Sequence, residues 1–193
     1  MHKPSFLLFA AALLSLGAFS GCSVSTHESE NGKKNDVDVR TPFGSVSVHE
    51  GNTDVKDTGL ALYPGARVKK DSDEEHHEDA KVNISSSFFG AKVVALTFES
   101  NDSPDKVLAF YRKEMGKYGK VVDCTGGFSL NFHRHRDKDA PVTCDGHDSG
   151  HEYKEELKVG TEGNQRVLAI KPSGNGSEFA LVYARTWDGQ GTM

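Results

Sequence analysis

Ser103 to Gly119, SPDKVLAFYRKEMGKYG, decides the fold class, because this stretch is written in a helical period while its surroundings are written in a strand period. Ser103 offers an N-cap oxygen to the orphan backbone N–H groups. Pro104 suits the first helical position, Asp105 complements the positive end, and Gly119 stands where a stop belongs. Val107, Leu108, Tyr111, Met115 and Tyr118 recur at spacings of three and four, an apolar stripe that must pack on something. Tyr111 and Met115 read as ordinary core residues in that stripe.

Outward from the helix the period is two. Val37 and Val39 alternate with polar residues, Thr41-Pro42-Phe43-Gly44 breaks the run, and Val46 and Val48 resume it. Val82 and Ile84 alternate likewise, Ser86 to Gly90 connects, and Val93 to Phe98 is dense enough to be a central strand. After the helix, Val121 and Val122 precede Phe128, Leu130 and Phe132. Leu157 and Val159, Arg166 to Ile170, and Phe179 to Trp187 then follow, separated by turns at 161–164 and 172–176. One helix (about 103–118) among seven or eight short strands predicts an α+β domain, an antiparallel sheet with one face laid on that helix.

At the N-terminus Lys3 precedes an apolar run from Phe6 to Phe19, short of the roughly 20 residues that a membrane span needs, followed by Phe19-Ser20-Gly21-Cys22. This arrangement resembles the lipobox signal of bacterial lipoproteins. The resemblance implies cleavage after residue 21, lipid on the Cys22 sulfur, and anchoring to a membrane of the bacterial cell envelope. Ser23 after the cysteine implies the outer membrane in a host with two. The competing reading of the same residues is ordinary signal cleavage after Ala18-Phe19-Ser20, which releases a soluble protein. With Cys22 lipidated, Cys124 and Cys144 remain as an even pair, expected to form a disulfide in an oxidising compartment. Leu62-Tyr63-Pro64-Gly65-Ala66 together with Ser103 to Tyr111 also resembles a pattern of bacterial envelope proteins that carry no assigned role.

The expected organisation is a signal peptide over 1–21, a lipidated cysteine with a disordered polar tether over 22–35, and one domain over 36–193. Within that domain, 36–49 is a candidate peripheral hairpin. A formal net charge of −5 with interspersed signs argues against nucleic acid as a partner.

Two features carry candidate chemistry. His76 and His77 sit among acidic residues, and His133, His135, His147 and His151 share a polar island with Cys144, so a weak divalent metal site is one expectation. A Cys-x2-His-x3-His run can be drawn through Cys144, His147 and His151, but thiolate ligation there excludes the disulfide. Lys106, Lys113, Lys117 and Lys120 lie opposite the apolar stripe, a row able to face anionic headgroups. No nucleophile elbow, phosphate loop or dinucleotide fingerprint is present, and His151-Glu152-Tyr153-Lys154-Glu155 lacks the second imidazole of a metalloprotease helix. The expected function is therefore non-catalytic binding or scaffolding by an envelope lipoprotein, without a cofactor. An exported metal-binding protein and an enzyme with a dispersed site are the alternatives.

Overall fold

A computed structural model describes residues 22–28, 35–50, 53–69, 79–86, 88–125, 137–144 and 153–188. Its strands are β1 (Ser23–Glu28), β2 (Asn35–Thr41), β3 (Gly44–Glu50), β4 (Arg67–Val68), β5 (Asp79–Ser86), β6 (Phe89–Ser100), β7 (Val122–Thr125), β8 (Glu155–Thr161), β9 (Asn164–Ser173) and β10 (Gly176–Asp188). The helix α1 spans Pro104–Met115 and continues as a 3-10 turn over Gly116–Tyr118. All the pairings are antiparallel. They run β1-β2-β3-β5-β6-β10-β9-β8-β7, with the short β4 added to the far end of β6.

The α+β architecture thus matches its sequence signature, and β6 lies in the middle of the sheet. The hairpin over 36–49 is integral to that sheet, because β3 pairs along β5 from Gly44↔Ser86 to Glu50↔Ala80. Of the expected signal peptide and tether, residues 1–21 and 29–34 lie outside the described residues, and the part of the tether that is described is a strand rather than disordered. Ser23–Glu28 forms an edge strand on β2, from Ser23↔Arg40 to Glu28↔Asn35. Ser and Thr around Val24 tolerate the pleat, and backbone hydrogen bonding to β2 orders a segment too polar to build a core. The predicted strand through Phe128, Leu130 and Phe132 lies outside the described residues.

Register explains which residues share a face. Phe98↔Phe179↔Ile170 and Leu96↔Leu181↔Leu168↔Leu157 form two ranks across β6, β10, β9 and β8, and α1 covers them with Val107, Leu108, Tyr111 and Met115. Phe179 lies at the centre, its ring 5.5 Å from Phe98 and 5.7 Å from Tyr111, centroid to centroid. The Tyr63 N–H donates to the Tyr111 hydroxyl at 3.2 Å, so this phenol both fills the core and satisfies a buried backbone group. Burial pushes the Tyr111 pKa upward.

Two details differ from the sequence expectation. Ser103 occupies the N-cap with extended backbone, but its hydroxyl makes no capping bond; its carbonyl accepts from the N–H groups of Lys106 and Val107 instead. Tyr118, at the end of the apolar stripe, is 39 % exposed. The helix tightens into a 3-10 turn before it, which rotates Tyr118 off the stripe. There its hydroxyl donates to the Gly59 carbonyl and its ring receives the Arg166 guanidinium at 3.6 Å. Gly119 ends the turn as expected, at φ 134°, where a side chain is strained.

The opposite face of the C-terminal half is buried too. Val167, Ala169, Val182 and Ala184 are at most 2 % exposed there, on the same face as Glu156, Lys158, Gln165 and Glu178. Glu156 and Lys158, two apart on β8, point the same way and pair at 3.4 Å, with both side chains 3 % exposed. Glu178 is held by Lys171 at 3.0 Å and Lys69 at 3.4 Å, and the Tyr153 hydroxyl donates to it at 3.2 Å.

Candidate functional site

The 137–144 segment extends the edge of β8 beyond Val122, the first residue of β7. Val142 N–H bonds the Gly160 carbonyl at 3.2 Å, Glu162 N–H bonds the Ala140 carbonyl at 2.9 Å, and Pro141 bridges Thr161. Val142 turns inward and is 4 % exposed. The far end of the segment is tied to β7 by the Cys124–Cys144 disulfide, as the cysteine count predicts. Between this strap and the residues that follow α1 lies an open groove of about 580 Å³, lined by Tyr118, Lys120, Val122, Pro141, Val142 and Cys144. Its walls are mostly apolar, with the Lys120 ammonium available nearby, a surface suited to an apolar side chain or extended segment bearing an acidic group.

The bond closes a loop with a sequence separation of 20. Replacing Cys124 and Cys144 together by serine is expected to cost about 3 kcal/mol in the loop-entropy account. Urea unfolding of the wild-type protein, oxidised and reduced, and of the double variant checks this. Equal midpoints for all three would show that the strap contributes nothing to stability.

A second groove, of about 400 Å³ and mixed polarity, opens over β3, β5 and the adjoining ends of β6 and β10. Ser47, His49, Lys81, Asn83, Lys92 and Trp187 line it. His49 Nδ1 lies 3.0 Å from Asp36 Oδ1, and Lys81 Nζ lies 3.3 Å from Asp57, so its main charged groups are engaged in pairs. These groups can hydrogen-bond a polar ligand, with the Trp187 ring at one end. Sequence reading did not find this groove, because it depends on non-local pairing of β3 with β5 and of β6 with β10.

The predicted site residues divide as follows. Cys22 is free and exposed immediately before β1. The Cys144-His147-His151 metal run is corrected, because Cys144 is committed to the disulfide and offers no thiolate. His76, His77, His133, His135, His147 and His151 lie outside the described residues; among the described residues no group of three His, Cys, Asp or Glu side chains could hold a metal ion. Lys106, Lys113, Lys117 and Lys120 are all exposed, as their placement opposite the stripe predicts. Lys106 pairs with Asp102 at 2.7 Å and Lys117 with Glu114 at 2.7 Å, which leaves less free positive charge on this row than its sequence promises. The hydrogen bond to Asp102 raises the Lys106 pKa, and the bonds from Lys106 and Tyr63 lower that of Asp102.

No helix among the described residues is long and apolar enough to cross a membrane. Comparison of the chain with protein-family models, with curated proteins and with solved structures returns no match.

Proposed function

We propose that this protein is a bacterial envelope lipoprotein, anchored through lipid on Cys22, whose α+β domain acts by binding or scaffolding without catalysis. The observation that carries the reading is the disposition of the three cysteines: Cys124 and Cys144 are bonded to each other, and Cys22 alone is free and exposed, directly behind an apolar leader. A disulfide belongs to an oxidising compartment, which supports export. The open apolar groove beside the end of α1 supports a binding role and supplies the surface for it. Ser23 after the cysteine favours the outer membrane where a host has two.

Each buried methylene of an acyl chain contributes about 0.8 kcal/mol, so two or three chains hold a protein on a bilayer durably. Exchanging Cys22 for serine in the natural host is expected to move the protein from the membrane fraction to the soluble fraction. Mass analysis of the wild-type mature N-terminus is expected to show an acylated cysteine. A wild-type protein recovered in solution, beginning at Gly21 and bearing an unmodified thiol, would overturn the proposal.

A further inference from the structure

The most exposed large apolar side chains among the described residues are Phe88 at 85 %, Phe43 at 79 % and Val24 at 66 %. They are far apart in sequence, yet the sheet brings them to one end. Phe43 sits in the β2–β3 turn and Phe88 in the β5–β6 turn, and Gly44↔Ser86 places these turns side by side. Ser23↔Arg40 puts Cys22 beside Thr41, against the first of them. Val24, Val39, Val46 and Ile84 form an apolar rank just behind, in mutual register. Monomeric proteins rarely gather apolar side chains at a projecting end without a use for them.

We propose that this end of the sheet docks into a phospholipid surface, with Phe43 and Phe88 at the acyl boundary and Arg40 and Trp187 at headgroup level. The proposal deepens the lipid-anchor reading. Because Ser23 already belongs to β1, no spacer separates Cys22 from the domain, and lipid on that sulfur brings the two turns to the bilayer. At about 3.4 Å per residue, Arg40 and Trp187 stand roughly 7 Å behind the tips, the depth of the interfacial region. Trp187 pairs with Gly90 in β6, and its ring lies over that glycine so closely that a Cβ there would come within 2.0 Å. An amphipathic ring is thus fixed where membrane interfaces favour one.

Charge agrees with this placement. Arg40 is exposed, and Lys92 and Arg185 stand opposite each other two ranks further back, able to meet headgroup phosphates. Of the acids at this end, Asp188 pairs with Lys138 at 2.6 Å, Asp137 and Asp139 lie close to the same ammonium, and Asp38 shares the rank of Lys92 and Arg185. The lysine row of α1 starts at the opposite end of the sheet, since α1 begins beyond Ser100, so Lys106 in its first turn lies far from Phe89.

Trp187 is the single tryptophan of the chain and therefore an internal probe. The full-length gene product, recovered from its host, is placed on vesicles of phosphatidylethanolamine and phosphatidylglycerol whose acyl chains are brominated near the headgroup. Bromine is expected to quench Trp187 fluorescence in the wild type, and a variant carrying Phe43→Ser and Phe88→Ser is expected to lose most of that quenching while its circular dichroism is unchanged. Mass analysis of the same samples reads the lipid on Cys22 independently. Acylated protein without quenching, or with quenching that the double variant retains, would overturn the docking geometry and leave the lipoprotein reading standing. Phenylalanine-dependent quenching with an unmodified Cys22 would support docking and overturn the anchor.

Discussion

Replacing Phe179 with alanine is expected to destabilise the protein by about 4 kcal/mol, with transfer and cavity terms both contributing. The side chain is fully buried, and its ring contacts Phe98, Tyr111 and Tyr63. Phe98 and Ile170 flank it in register on the neighbouring strands, so backbone hydrogen bonding resists the collapse that would close the cavity. In a protein of this size the loss corresponds to a fall in Tm of roughly 10 °C. Calorimetry of the purified domain checks it. A cost below about 1 kcal/mol would mean that α1 does not lie on this rank of the sheet.

The second large effect concerns the charged pair inside β8. Changing Lys158 to methionine removes the ammonium but not the neighbouring carboxylate, and is expected to cost about 3–5 kcal/mol, because Glu156 stays buried without its lysine. Replacing both residues at once, Glu156→Leu with Lys158→Met, is expected to recover most of that cost, since an apolar pair needs no compensating charge. Urea titration of wild type, both single variants and the double variant forms a mutant cycle that measures the coupling. If the double variant were as unstable as the sum of the single ones, the pair would not be acting as a pair.

That pair also shows where the sequence stops being legible. The alternation Glu156, Leu157, Lys158, Val159 reads as a strand with one dry and one wet side, and the strand is there, but both sides are buried. Opposite charges two residues apart neutralise each other across the pleat, so polarity at alternate positions did not report exposure. The edge strand β1 failed to register for the opposite reason. Its order comes from backbone bonds to β2 rather than from apolar side chains, and hydropathy carries no trace of that. Local signals worked where local physics dominates: the helix with its glycine stop, the turn after Tyr63, whose carbonyl accepts from Ala66 N–H at 3.0 Å, and the β2–β3 hairpin.

The candidate sites were legible to a lesser degree. The disulfide followed from counting cysteines. Phe43 and Phe88 looked like unrelated turn residues, because nothing in either turn says that β3 and β5 are neighbours. The apolar groove depends on the strap over 137–144 meeting Gly160, a contact between segments whose relation only the folded chain defines.

The central position of β10 has a consequence for how the chain reaches this state. β6 is made midway through synthesis, yet one whole flank of it waits for a partner drawn from residues 176–188, and Phe89↔Asp188 spans just over half of the sequence. Closure of the central pair is therefore a late event carrying a large loop-closure entropy, and the apolar strip of β6 stays sticky until the C-terminal strand is delivered. A premature stop anywhere before residue 176 removes the keystone of the sheet, not a peripheral edge.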